Sequence, residues 1–165
     1  MAFIRSEDTS ARITRPSKEM PESADNSPES MALLIWSDQY AVGHFQIDSQ
    51  HQQLIDIINL LHDAMRAGGA LNQMQEVARR LLDYTRYHFA FEESLMKAQG
   101  YPGFAEHQRS HRELEGQVRQ YAEELAAGKV TTTIKTMAFL KEWLVKHILE
   151  ADKQFATYVA KPRVA

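Results

Sequence analysis

The chain contains no cysteine. Disulfide bonds, zinc–thiolate sites, cysteine-ligated iron–sulfur clusters and cysteine catalysis are therefore excluded. Any metal ion that this protein holds must be bound mainly by histidine nitrogen and carboxylate oxygen.

Long apolar runs and a basic surplus are also missing. No apolar run approaches the roughly 20 residues of a membrane-spanning helix, and charges interrupt the N-terminus where a signal peptide would need an apolar core. The net charge of −3 gives no basic footprint for nucleic acid. We therefore expect a cytoplasmic protein without a membrane span and without a nucleic-acid partner.

The composition divides the 165 residues into a tail and one domain. Residues 1–30 are polar and charged, with proline and serine, and bury too little apolar surface to offset the entropy cost of ordering. We predict a flexible tail over 1–30 and a folded domain over 31–165. The domain opens with the apolar and aromatic stretch MALLIWSDQYAVGHFQI, which indicates an arm packed on the fold.

Four helices are predicted from apolar residues that recur every three or four positions. Asp48 is the expected N-cap of the first helix, and Thr131 to Thr133 offer a cap for the fourth. Glycine or proline marks the other boundaries, at Gly68–Gly69, Gly100, Pro102, Gly128 and Pro162. Short connections make neighbouring helices antiparallel, so the fold class is all-α, an up-down-up-down four-helix bundle with an N-terminal arm.

Histidines interrupt the apolar stripe of every predicted helix. They are His51, His88, His107, His111 and His147. One inward histidine alone is most often a core residue satisfied by a hydrogen bond, and a lone pair four apart often lies on a solvated face. Five converging imidazoles, each costing about 1–3 kcal/mol if left unpaired, instead favour a metal centre.

Five histidines exceed what one ion with an open position would use, so two carboxylate-bridged ions are favoured. Glu92 shares a helix face with His88, four residues earlier, and can bridge. For a second bridge, Asp152 lies five residues after His147, ~140° around the helix, whereas Glu150 lies three residues after it. Spacing alone leaves both carboxylates open, and Fe, Mn, Zn, Cu or Ni would suit this ligand set.

The order of these residues resembles the hemerythrins, in their single-domain bacterial form. His51 comes first, His88 and Glu92 are four apart, and His107 and His111 are four apart. His147 and Asp152, five apart, complete the pattern. The surrounding segments IDSQH, YTRYHFAFEESLMKAQGYP and WLVKHI agree, and the resemblance covers about residues 33–160.

This resemblance implies two iron ions joined by an oxo or hydroxo group, with O2 as a reversible ligand. Three histidines would hold one ion, two would hold the other, and two carboxylates would bridge, namely His107, His111 and His147, then His51 and His88, then Glu92 and Asp152. The ion with fewer ligands would bind O2. The implied function is O2 storage, transport or delivery by a binding protein, not an enzyme.

The resemblance also places Leu144, one turn before His147, beside the O2 position. Four other apolar residues could line the same pocket, although plain core packing is their more frequent role: Trp36, Phe45, Ile47 and Trp143. His44 either lines the access to the site or is an ordinary loop residue, and His62 is expected at the edge of the core.

The outer nitrogens of the ligand imidazoles need hydrogen-bond partners. Glu93, Tyr84 and Asp48 are candidates, and each could equally be a surface or capping residue. Two other functions stay open: an O2 or redox sensor that acts through a partner, and an enzyme that processes peroxide or nitric oxide. We expect a monomer whose O2 passes to an O2-consuming protein.

Overall fold

The computed structural model describes residues 32–129 and 133–160. Its helices are a short 3-10 helix, Asp38–Tyr40, then α1, Phe45–Arg66; α2, Leu71–Gln99; α3, Phe104–Ala126; α4, Thr133–His147; and α5, Lys153–Ala160. A π-helical turn, Ile148–Asp152, joins α4 to α5. The residues flanking this turn keep right-handed helical dihedrals, so α4, the turn and α5 form one continuous rod. No strand occurs in the described ranges, and the all-α four-helix prediction is confirmed.

Several predicted features fall outside the described residues. These are the tail over 1–30 and the part of the threonine cap at 131–132. Pro162, the expected stop of the last helix, also lies outside them.

The predicted start of the first helix was wrong by four residues, since the N-cap is His44 and not Asp48. Helix α1 begins at Phe45, and the ring Nδ1 of His44 accepts the N–H of Ile47 as its N-cap, at 3.4 Å. Asp48 lies in the first turn, where its carboxylate accepts the N–H groups of Val42 and Gly43 from the preceding loop, at 2.7 and 3.1 Å. An acidic residue in the first turn that reaches back in this way resembles a capping box.

The second and third helices follow the predicted boundaries more closely. Helix α2 ends at Gln99 and is capped by Gly100, whose φ of 61° lies in the left-handed region that favours glycine. Helix α3 begins at Phe104, two residues after Pro102, because a turn through Gly103 precedes it.

Two layers of the core lie on one side of the histidines, and each layer contains one residue from each of α1, α2, α3 and α4. The first layer is Leu54, Thr85, Leu114 and Leu144, and the second is Ile58, Leu81, Val118 and Leu140, all buried. The first-layer residues lie three positions from a histidine on their own helix, after it in α1 and α3 and before it in α2 and α4. These offsets alternate in sign because neighbouring helices run antiparallel.

A smaller apolar cluster closes the other side of the histidines. Its buried members are Ile47, Met96 and Phe155, with Phe91, Leu95, Tyr101 and Phe104 packed against them. The polar centre therefore lies between two apolar regions. Among the described residues, no helix is both long enough and apolar enough to cross a membrane.

Candidate metal centre

Helices α1 to α4 and the π-helical turn together bring the seven predicted ligands to one buried site. Each is at most 5% exposed: His51, His88, Glu92, His107, His111, His147 and Asp152. They form two groups that could each hold a metal ion, and Glu92 belongs to both groups. Their convergence is observed, and their role as ligands stays a prediction.

The first group contains three imidazoles that present their Nε2 atoms to one another. His111 Nε2 lies 3.0 Å from His107 Nε2 and 3.1 Å from His147 Nε2. Two nitrogens that bind one ion at right angles, each at about 2.1 Å, stand ~3.0 Å apart. This spacing fits three neighbouring ligands of a single ion.

The second group contains two imidazoles and lies on the opposite side of the carboxylates. The rings of His51 and His88 meet edge to face, with centroids 4.9 Å apart. His88 Nε2 lies 3.6 Å from Glu92 Oε2. The centre is therefore unequal, with three histidines on one side and two on the other.

Asp152 stands between the two groups and turns one oxygen to each. Its Oδ2 lies 3.3 Å from His51 Nε2, while its Oδ1 lies 3.2 Å from both His107 Nε2 and His147 Nε2. Glu92 also contacts both groups, since its Oε2 lies 3.3 Å from His111 Nε2 as well as near His88. Both carboxylates thus contact both histidine groups, as the predicted bridging role requires.

The π-helical turn brings one of the two carboxylates that spacing had left open to the histidines. The N–H of Lys153 donates to the carbonyl of Ile148, five residues earlier, so positions five apart lie nearly above one another in this turn. Asp152 consequently faces the same way as His147 and is 1% exposed, whereas Glu150 lies on the exposed face. Helical bulges of this kind often occur at functional sites.

Both carboxylates lack conventional hydrogen bonds. Within the described residues, neither oxygen of Glu92 or Asp152 has a hydrogen-bond partner of acceptable geometry, and both nitrogens of His51 are likewise unpaired. Leaving such buried groups unpaired costs about 1–3 kcal/mol each, and more when they are charged. Cations bound between the carboxylates and the imidazole nitrogens would satisfy the four carboxylate oxygens and the Nε2 of His51, so the donor set fits two metal ions.

Burial and the charges within the centre strongly perturb the pKa values of its residues. Burial lowers the pKa of His88 to about 4. Burial also acts on His107, but Asp152 and Glu92 outweigh it and raise its pKa to about 9. Although burial and the charge of Asp152 would raise the pKa of Glu92, the surrounding histidines hold it at about 2. The metal-free centre therefore keeps its carboxylates charged and stores a proton on His107.

Three histidines have partners at their outer Nδ1 atoms. His111 lies 3.2 Å from Glu93 Oε1, His88 lies 2.9 Å from Gln50 Oε1, and His147 lies 3.3 Å from Ser110 Oγ. An Nδ1–H that is used outward leaves the Nε2 lone pair for a metal. Of the predicted partners, Glu93 takes this role, and Asp48 instead holds the loop before α1. Gln50 and Ser110 were not among the predicted partners.

Aromatic rings hold two imidazoles of the three-histidine group in place. Phe89 stacks on His111 with centroids 3.7 Å apart and an interplanar angle of 7°. Trp143 stacks on His147 at 4.4 Å and 13°. Trp143, considered as a wall of the O2 pocket, therefore contacts a candidate ligand directly, and Phe89 was not anticipated.

The other predicted pocket residues lie in different places. Leu144 lines an apolar cavity of about 10 Å³ formed by the two core layers, which is about the volume of one water molecule. Phe45 is 89% exposed, so its prediction as a pocket wall was wrong. Ile47 packs in the cluster on the other side of the histidines, and Trp36 packs against Tyr40.

The two remaining histidines lie apart from the centre. His44 caps α1 and packs near Phe91, with ring centroids 6.1 Å apart. His62 lies near the end of α1 at the edge of the core, with its Nδ1 3.7 Å from the Asp63 carboxylate. Neither belongs to a group that could hold a metal ion.

An antiparallel four-helix bundle whose buried centre gathers five imidazoles and two carboxylates is a helical-bundle protein with a candidate metal-binding core. Comparison with known families specifies this class further. The hemerythrin HHE cation binding domain matches residues 42–159, and the chain belongs to the hemerythrin family.

Individual relatives agree with this assignment. The bacteriohemerythrin of Stenotrophomonas maltophilia is 38% identical over 130 residues, which cover 78% of this chain and 83% of the relative. The bacteriohemerythrin of Methylococcus capsulatus is 32% identical over 126 residues, covering 76% and 95%. A crystal structure of wild-type hemerythrin superposes with a TM-score of 0.73 at 30% identity, covering 79% of this chain and all of that chain.

Proposed function

We propose that this protein binds O2 reversibly at a centre of two iron ions. The observation that carries the proposal is the unequal division of the imidazoles about two shared carboxylates. Both carboxylates included, the three-histidine position would have five protein ligands and the two-histidine position would have four. The second position therefore leaves more room for an exogenous ligand.

When bound by these residues, a pair of ferrous ions would supply the two electrons that reversible O2 binding requires. Five neutral imidazoles and only two carboxylates give the ligand set little negative charge. Glu92 is carried by α2 and Asp152 by the π-helical turn. These two carboxylates would hold the two metal positions at a fixed separation. Membership in the hemerythrin family supports iron as the metal.

The first apolar layer protects such a centre from water. Leu54, Thr85, Leu114 and Leu144 close the bundle directly above the histidines, and each is buried. The cavity behind this layer is lined by apolar side chains apart from Thr85. Water and anions would promote irreversible oxidation, so a dry layer favours release of O2 unchanged.

These features support a carrier for storage or delivery of O2, and we propose that it acts in the cytoplasm. The recipient would be an O2-consuming protein. A single bundle with its own complete set of ligands needs no second copy, in keeping with a monomer.

The test is an optical titration of the reduced, iron-quantified protein, cycled between O2 and an inert gas. We expect two iron ions per chain and a charge-transfer band that appears with O2 and fades on its removal. His88→Ala should abolish the band, whereas His62→Ala, outside the centre, should preserve it. A single irreversible conversion would contradict the carrier function and favour redox sensing or peroxide and nitric oxide turnover.

A further inference from the structure

The outer hydrogen bonds of the two histidine groups differ in charge. In the three-histidine group, the Nδ1 of His111 lies 3.2 Å from Glu93, a carboxylate. In the two-histidine group, the Nδ1 of His88 lies 2.9 Å from Gln50, a neutral amide. The two acceptors therefore differ by one negative charge while serving equivalent positions on the rings.

Glu93 is held in place by a further chain of polar contacts. Gln108 donates from its Nε2 to the second oxygen of Glu93, and Arg112 donates to the Oε1 of Gln108, at 3.0 Å. The Glu93 side chain is 18% exposed, so its carboxylate is largely sheltered from water. Its position is thus fixed from the side opposite to His111.

Gln50 makes a simpler contact. It is 4% exposed, and its amide nitrogen has no hydrogen-bond partner in the part of the chain that the structure describes. It orients His88 through one neutral bond. The other imidazole of this group, His51, has no partner at its Nδ1 within the same residues.

We propose that Glu93 and Gln50 are positioning residues that make the two metal positions unequal in affinity, with the three-histidine position holding its ion more tightly. A carboxylate that accepts the outer N–H of an imidazole raises the basicity of the opposite nitrogen, and a neutral amide does so less. The hydrogen bonds thus reinforce the inequality that the number of histidines creates. The inference rests on the two-ion centre proposed above, but not on O2 binding.

The experiment uses cobalt(II) alone as the probe. The full chain is loaded with cobalt(II) and then titrated with a competing chelator, while the visible d–d absorption reports on ions bound by imidazole and carboxylate. We expect two separate steps of release in the native protein. Loss of an outer partner of a metal-binding histidine typically weakens binding about 10–100-fold.

Two reciprocal variants and one control separate the roles. Glu93→Gln should weaken the tight step 10–100-fold and leave the weak step unchanged. Gln50→Glu should strengthen cobalt binding at the weak step and so bring the affinities of the two steps closer together. Glu113→Gln removes one negative charge from an exposed position two residues after His111, so it should change neither step.

A spectroscopic readout identifies the position that each step reports. The paramagnetically shifted N–H proton of His111 should disappear with the last ion released from the native protein, and it should shift in Glu93→Gln. The inference is overturned if Glu93→Gln alters both steps equally, or neither. Failure to bind cobalt would reject the two-ion centre itself, whereas tight, unequal cobalt binding without reversible O2 binding would reject only the carrier function.

Discussion

His147 Nε2 lies 3.2 Å from Asp152 Oδ1, although these residues are five positions apart and would diverge on a regular α-helix. The π-helical turn between them brings the two side chains to the same face of the helix. It amounts to one extra residue in the rod, and Leu149 and Glu150 lie exposed within it. The flanking helices α4 and α5 continue with ordinary dihedrals, so the extra residue is accommodated locally.

Deletion of Glu150 should convert the π turn to a regular α-helix. His147 and the aspartate would then be four apart and would still share a face. We expect ΔGlu150 to keep its helical circular dichroism and close to two iron ions per chain, with weaker retention against a chelator. ΔLys141, also at an exposed position, should instead rotate the core residues by ~100° relative to the ligands and lose the iron. Equal iron loss in both deletions would contradict the role of the π turn.

Asp152→Ala should remove both ions. Its oxygens contact both histidine groups, so neither position keeps a complete set of ligands without it. We expect less than one iron ion per chain by metal analysis. Glu150→Ala, three residues from His147 but exposed, should retain two. The opposite result would make Glu150 the ligand.

The regular part of the site could be predicted because α-helical periodicity relates residues within one helix. The four-residue spacings, from His88 to Glu92 and from His107 to His111, fix which side chains share a face before any tertiary contact is known. Regular α-helical spacing left Asp152 and Glu150 both open as the second bridge, and only the resemblance named Asp152. The observed π turn explains how Asp152 reaches the face of His147.

Contacts between helices were less predictable, because periodicity within one helix does not say which residues of two helices meet. Gln50 precedes His51 in the chain, yet it serves His88 on another helix. The start of α1 was misplaced because Asp48 accepts hydrogen bonds in the first turn, where an acidic residue resembles an N-cap in the sequence. Phe45 is apolar but exposed, and nothing in its local pattern distinguishes it from a pocket residue.

Leu144→Ala should leave the iron content intact and accelerate autoxidation of the O2 complex, because it opens the apolar layer next to His147. Leu140→Ala is the matched control, since it lines the same cavity one turn farther from the histidines. Both substitutions should destabilise the fold by about 2–5 kcal/mol. Only Leu144→Ala should accelerate the optical decay of the O2 complex severalfold. An unchanged rate, or the same rate in both variants, would remove Leu144 from the pocket.

Metal affinity should rise with pH between about 6.5 and 9. The pKa of His107 is raised to about 9 by Asp152 and Glu92 against the effect of burial, so at pH 7 this ring carries a proton in the metal-free protein. A bound ion must displace that proton, and the metal-free state therefore binds more protons than the loaded state. The proton displaced from His107 should raise the apparent affinity roughly tenfold per pH unit up to about pH 9, and His51, whose pKa Asp152 also raises against burial, should add to this slope.

Chelator competition with zinc(II) across this range measures the dependence, and a pH indicator in weak buffer counts the proton released. His107→Gln lacks the titrating ring, so its remaining affinity should rise less steeply with pH. His62→Gln, away from the centre, should keep the native slope. An affinity that stays constant from pH 6.5 to 9 would mean that His107 is neutral in the metal-free centre and that the carboxylate charge is compensated elsewhere.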